Sequence, residues 1–285
     1  MTTTGQRPSG GWAKPAQRVA ATPPGTVADP ADRPHGHPRV TERVERLVIG
    51  ADFGADGYTT LDQADELADR LALRPGQRLL DLGTGSGWPG VYLAKKTGCQ
   101  VLLTDLPGPG LRTAVARAGR EQVAGRCAAV ASEGPRLPFA TAAFDAVLHA
   151  DVLCCLRAKR ATLMSCRRIL RPHGRMAFFA IFVAPALTAR DHRRALQCGP
   201  PALATPSTYR RLLDTAGFLA IDEVDVTDAY LDTARRWLCH QREFAAELAP
   251  LQPPGAFDQR LRRRRAAIAA IEAGLLRRSL LVVKR

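Results

Sequence analysis

The chain has 285 residues, enough for one large α/β domain with additions, and its apolar (46%) and charged (24%) fractions are those of an ordinary globular protein. No stretch reaches the roughly 18 apolar residues of a membrane helix, and the N-terminus lacks a signal-peptide apolar region, so no membrane span and a cytoplasmic location are expected. The net charge of +14, carried mostly by arginine, favours anionic partners: a carboxylate or phosphate substrate, or nucleic acid.

Residues 1–38 are rich in Pro, Gly, Thr and Ala and have no apolar periodicity. They cannot bury enough apolar surface to offset their ordering entropy and are expected to form a disordered tail. A domain is expected over residues 39–285. Val40, Val44, Leu47 and Val48 recur at helical spacing, with Thr41 as a cap. Gly54, Gly57, Tyr58 and Thr59 mark a loop, and Leu61, Ala64, Leu67, Ala68 and Leu71 a second amphipathic helix stopped by Arg74-Pro75-Gly76. Two helices, at about 39–75, thus precede the first strand.

A regular alternation follows. Strands are expected at 78–82, 100–105, 127–131, 143–149 and 175–183. Helices are expected from Pro89, a residue suited to a first helical turn, then at 111–123 and 156–170, with a turn at Arg171-Pro172-His173-Gly174. Such alternation means a parallel sheet with right-handed crossovers. Residues 184–204 contain three prolines and read as a loop or short helices over the site. A helix at 206–216 closed by Gly217, a strand at 218–226, helices at 229–248 and 260–277, and a strand at 279–284 complete the chain. The seven cysteines include no Cys-x-x-Cys pair, so reduced, mostly buried thiols and no metal site are expected.

The chemistry concentrates at Asp81-Leu82-Gly83-Thr84-Gly85-Ser86-Gly87 and at Asp105, 18 residues later. Glycine suits a sharp turn with positive φ and lets a ligand lie against the main chain. Asp105 ends the second strand, where a carboxylate accepts hydrogen bonds from both ribose hydroxyls. This is a nucleoside pocket at the carboxyl edge of a parallel sheet. Gly85-Ser86-Gly87-Trp88-Pro89-Gly90 also satisfies G-x-G-x-x-G, but the glycine that directly follows the strand is Gly83, which puts Trp88 where a dinucleotide pyrophosphate would lie. Asp81, inside the turn, repels phosphate and suits a cationic ligand.

Asp81-x-Gly83-x-Gly85-x-Gly87 with Asp105 resembles the first motif and ribose acid of class I S-adenosylmethionine-dependent methyltransferases. Three further segments resemble the small-molecule branch that includes the ubiquinone, menaquinone and sterol methyltransferases: Ala131 to Phe139, Phe144 to Leu153, and Leu170 to Arg175, with His173 in place of a glycine. Tyr209 to Phe218 resembles its helix before strand six. The resemblance implies a Rossmann-like seven-stranded sheet, order 3-2-1-4-5-7-6 with strand seven antiparallel, and the helices at 39–75 as a lid. It implies that Asp81, Gly83, Gly85 and Gly87 hold the methionine part of S-adenosylmethionine, that Asp105 and Leu106 hold the ribose and flank the adenine, and that Ser132 and Glu133 frame the adenine.

The implied reaction moves a methyl group to an O, N or C atom of a small-molecule acceptor, and the arginine excess tilts the acceptor toward an anion. His149 and Asp151 fall at the acceptor edge of strand four, His149 also beside the adenosine, and both are candidate catalytic residues. Tyr58 is a candidate substrate contact in the lid. Two alternatives stay open: an RNA methyltransferase using Arg260 to Arg265, and a catalytically silent protein that only binds the cofactor. Against RNA, no aromatic residues interleave with those arginines.

Overall fold

The computed structural model describes residues 39–285; the tail expectation for residues 1–38 lies outside them. In chain order the elements are α1 (Val40–Ile49), α2 (Leu61–Leu71), β1 (Arg78–Leu82), α3 (Gly90–Thr97), β2 (Gln100–Asp105), α4 (Pro109–Arg120), β3 (Cys127–Ala131), β4 (Phe144–Ala150), α5 (Lys159–Ile169), β5 (Leu170–Val183), α6 (Ala189–Cys198), α7 (Tyr209–Thr215), β6 (Leu219–Asp225), α8 (Thr227–Glu243), α9 (Ala245–Leu248), α10 (Ala256–Glu272) and β7 (Leu276–Lys284).

The strands form one sheet in the order β3-β2-β1-β4-β5-β7-β6. β1 is central and parallel to both neighbours, with Leu80 opposite Leu102 on β2 and Val147 on β4. β7 runs antiparallel between β5 and β6. Leu79, Leu80, Leu102, Leu103, Val147 and Leu148 are all buried, as in a strand covered by helices on both faces. The edge strand β6 carries Asp222, Glu223 and Asp225, charges that discourage pairing with another chain.

α1 and α2 belong to the main core: Val44, Val48, Leu67 and Leu71 share one apolar cluster with Leu79, Leu148 and Trp237. Their connecting loop is thereby fixed against the carboxyl edge of the sheet.

Three local expectations are corrected, and a fourth, at 184–204, takes definite form. Arg39, not Thr41, occupies the N-cap position of α1, its N–H donating to Glu42, and Leu47 is exposed, because the buried stripe runs through Val44 and Val48. The turn at 171–174 is a bulge inside β5: Leu170 pairs with Phe144 and Arg175 with Ala146, and His173 takes φ 64° to accommodate the extra residues. The segment at 184–204 contains a ten-residue helix, α6, capped by Thr188. α10 starts at Ala256 and ends at Glu272, because Gly274, in the left-handed region, turns the chain into β7.

α2 ends on Ala72 at φ 52°, a left-handed cap usually given to glycine. Left-handed backbone costs an L-residue about 1–2 kcal/mol. Ala72→Gly is therefore expected to raise stability by about 1 kcal/mol in urea denaturation, net of glycine's larger unfolded-state entropy.

Candidate active site

β1 delivers Asp81 to the foot of the glycine loop. Its side chain is 1% exposed, and one carboxylate oxygen accepts from Thr84 Oγ1 (2.7 Å) and the Gly90 N–H (3.1 Å). Asp81 thus ties the loop to the start of α3 from inside. Burial pushes its carboxyl up to about 7, against those two hydrogen bonds. Gly83 has φ 71°, and a Cβ there would strike Val152, the residue after Asp151. Gly85 also has positive φ, but a Cβ there would meet nothing within 4 Å, so this side of the loop is open. Gly87 lies against Val91 and Ala114.

Asp105 faces that opening from the end of β2. One carboxylate oxygen accepts the Gly85 N–H and the other the Leu106 N–H, both at 2.7 Å. A carboxylate offers roughly four acceptor positions, so about two remain for a ligand. Beside it Leu106 is 59% exposed, an apolar side chain with nothing packed over it. Ser132 donates its N–H to the Asp105 carbonyl (2.9 Å), while its hydroxyl is buried without a partner among the described residues. Glu133 is exposed, just before the short turn Gly134–Arg136. An open main-chain surface, a carboxylate with spare acceptor positions, an apolar leaf and an unused hydroxyl fit a nucleoside.

The loop between α1 and α2 covers this edge. Glu45, itself buried, accepts the N–H groups of Phe53 (2.9 Å) and Gly54 (2.6 Å). Phe53 stacks at 5.1 Å from Trp88 of the glycine loop, and Trp88 Nε1 donates to the Thr59 carbonyl (2.9 Å). Arg117 on α4 sits 4.8 Å over the Phe53 ring and donates to the Asp52 carbonyl. Tyr58, the expected substrate contact, stands edge-on to Tyr230 of α8 at 4.6 Å.

The two expected catalytic side chains do other work. His149 on β4 is fully buried, stacked 4.3 Å from Phe178, and neither ring nitrogen has a partner among the described residues. Desolvation pushes its pKa down to about 3, so it stays neutral near pH 7 and is a poor proton acceptor there. Asp151, at φ 56°, gives both carboxylate oxygens to Arg278 of β7, Nε at 3.0 Å and Nη2 at 2.9 Å. Arg278 is 0% exposed; it also donates to Thr59 Oγ1 and Gln63 Oε1, each at 3.0 Å, and lies 4.2 Å over Phe179. Asp151 is therefore half of a buried ion pair that joins β4, β7 and the lid, in place of the expected base.

Beyond Tyr58 lies a cavity of about 470 Å³ between the lid loop, the end of β5 and α8 and α10. Asp56, Tyr58 and Tyr230 line it together with Arg260, Arg263 and Arg264.

Residues 80–178 match the family model described as "Methyltransferase domain". The chain is 30% identical over 181 residues to the 27-O-demethylrifamycin SV methyltransferase of Amycolatopsis mediterranei, an alignment covering 60% of this chain and 66% of that protein. Residues 80–178 thus carry the sequence signature of a methyltransferase domain. The chain spans just under two thirds of that relative's length. Two solved structures share its fold. The phosphoethanolamine N-methyltransferase 2 of Haemonchus contortus, in complex with phosphomonomethylethanolamine and S-adenosylhomocysteine, has a TM-score of 0.74 at 16% identity, over 85% of this chain and 57% of that one. The geranyl diphosphate C-methyltransferase of Streptomyces coelicolor A3(2) has a TM-score of 0.62 at 17% identity, over 79% and 78%.

Arg278, Thr59, Gln63 and the Asp56–Arg264 pair carried no functional signal that the sequence reading caught. Arg278 left one legible trace: a charge at an inward position of the apolar strand Ser279-Leu280-Leu281-Val282-Val283. Asp56 and Arg264 left none, because they meet across 208 residues of sequence.

Removing one partner of a buried pair strands the other. Arg278→Met is expected to lower the unfolding free energy by about 3–5 kcal/mol, and adding Asp151→Asn to recover part of it, in urea denaturation. The sign for pH follows from Asp81 and Glu45, whose folded-state pKa values are both raised to about 7. They bind protons more tightly folded than unfolded, so stability falls as pH rises from about 5 through about 7. Asp81→Asn keeps an acceptor for Thr84 and Gly90 and is expected to flatten that decline between about pH 5 and about pH 8.

Proposed function

We propose that this protein transfers a methyl group from S-adenosylmethionine to an O, N or C atom of a small-molecule acceptor. The observation that carries the reading is the opening at Gly85, faced by Asp105 and flanked by exposed Leu106. Bound there, the cofactor would supply an activated methyl on a sulfonium. Asp105 would hold the ribose hydroxyls, Leu106 would cover one adenine face, and Ser132 with Glu133 would border the base. Gly83, Gly85 and Gly87 would shape the wall against the methionine part. Asp81 would act through its field, since its carboxylate is held inside the loop. A dinucleotide fits poorly, because Trp88 is buried against Phe53 and tied to Thr59 where a pyrophosphate would lie.

Methyl transfer from a sulfonium is an in-line displacement, so the protein's task is to position the acceptor and exclude water. The lid loop does the second, through Tyr58 and through Phe53 packed on Trp88 of the glycine loop. With His149 sealed in the wall and Asp151 held by Arg278, positioning is the contribution we assign to this site. The cavity beside Tyr58 would receive the acceptor, and its arginines favour an anionic one. The RNA reading loses support, because the Arg260 to Arg265 stretch is split: Arg260 and Arg264 are bound to Asp56, and Arg264 is buried. No helix among the described residues is long and apolar enough to cross a membrane. Seven free thiols suit a reducing, cytoplasmic compartment.

Asp105→Ala is expected to weaken S-adenosylhomocysteine binding at least about tenfold by calorimetry, with circular dichroism unchanged. An unchanged Kd would remove the ribose assignment. Methyl-labelled cofactor incubated with a metabolite extract should put label into a small organic product; label in RNA, or none at all, would overturn the reading.

A further inference from the structure

The acceptor-side cavity has a feature that apolar packing does not require. Arg264 is 7% exposed, on the inner face of α10. Its Nη2 donates to Asp56 Oδ1 (2.8 Å) and its Nε to Gln241 Oε1 (3.2 Å). Its Nη1 is buried and has no partner among the described residues. Burying a guanidinium is costly, and leaving one of its donors unpaired costs more. The aromatic rings around it, Trp237 at 5.1 Å and Tyr58 at 5.7 Å, hold the cation without using that donor.

The charge in the cavity points the same way. Asp56 is the one carboxylate in the lining, and it faces both Arg260 (2.9 Å) and Arg264 (2.8 Å). Arg263 also lines the cavity and has no ion pair among the described residues. Three arginines against one aspartate leave a surplus of positive charge around an open cleft of about 470 Å³. That is the size of a small-molecule pocket. Guanidinium groups match the oxygens of a carboxylate or phosphate.

We propose that this cavity is an oxyanion subsite: Arg264 Nη1, assisted by Arg263, binds a carboxylate or phosphate carried by the methyl acceptor, and thereby orients the acceptor's opposite end toward the glycine loop. This rests on the methyltransferase reading. The path between the two sites is short in sequence. Lid residues Phe53 and Gly54 lie at the glycine loop, and Asp56 and Tyr58 line the cavity.

The test separates the two readings. Calorimetry with S-adenosylhomocysteine asks about the cofactor. Titration of the unmodified protein with sodium benzoate and with inorganic phosphate, read by calorimetry, asks about the subsite. We expect one of the two anions to bind, to weaken as potassium chloride is raised, and to lose about tenfold to hundredfold in affinity in Arg264→Gln. Benzoate binding would identify a carboxylate, phosphate binding a phosphate ester. Labelled products from the extract should then be retained on an anion exchanger, and their yield should fall in Arg264→Gln while S-adenosylhomocysteine binding persists. Should Arg264→Gln fail to fold, the exposed Arg263→Gln takes its place, with a smaller loss of about threefold expected for a single exposed charge. Neutral labelled products, or anion binding indifferent to both substitutions, would overturn the subsite and leave the methyltransferase reading standing. Loss of all S-adenosylhomocysteine binding in the unmodified protein would overturn the methyltransferase reading, and the anion titration would then decide the subsite alone.

Discussion

The site depends on one buried guanidinium. Arg278 enters from β7, a strand remote in sequence from everything it holds, and closes a hydrogen-bonded set of Asp151, Thr59 and Gln63 over the Phe179 ring. A fully desolvated arginine is tolerable only when its donors are used. Here the demand for partners fixes three elements at once. Asp151 is drawn into a left-handed conformation, which sets Val152 against Gly83 and so supports the turn from below. Thr59 and Gln63 hold the entry of α2, and the Thr59 carbonyl then receives the Trp88 indole. The nucleoside edge, the lid and the last strand are therefore one mechanical unit.

The lid loop divides its contacts between two functions. Glu45 gathers the backbone at Phe53 and Gly54, which press on the glycine loop. A few residues on, Trp237 Nε1 donates to the Gly57 carbonyl (2.8 Å), and Asp56 holds two arginines of α10. Any shift of the loop that widened one site would alter the other, because a packed segment of this length does not deform piecemeal. The glycine-loop edge and the arginine cavity thus share one wall, the backbone of residues 53–58.

The fold was legible because its signals are local or periodic. The apolar strand runs, the glycine turn and the helix stop at Gly217 each declare themselves within a few residues. The nucleoside side was legible for the same reason: Asp81, the glycines, Asp105 and Leu106 lie on two consecutive strand ends. The acceptor side was not. His149 and Asp151 were placed correctly at the edge of β4, yet which way each side chain turns is decided by partners more than a hundred residues away or by a neighbouring strand. The arginine stretch shows the limit most clearly. Five arginines in six positions read as one basic face, but a helix turn sends Arg264 inward while Arg262 and Arg265 stay in solvent.

That inward turn bears on the surplus charge of the whole chain. An exposed arginine is a cheap solubilising cation, and a net charge of +14 needs no further explanation from those. Arg117, Arg264 and Arg278 are different, since each is buried. Arg117 sits over Phe53 near Glu42, Asp52 and Glu121, although its Nε has no partner among the described residues, and Arg278 spends its donors on Asp151, Thr59 and Gln63. Among the described residues Arg264 shares its only carboxylate with Arg260, its Nη1 is buried without a partner, and its side chain lines the arginine cavity. What distinguishes it from Arg117, which also keeps a buried donor unpaired, is its setting: two further arginines and a single aspartate line the same cavity, a charge excess that a negatively charged ligand would offset.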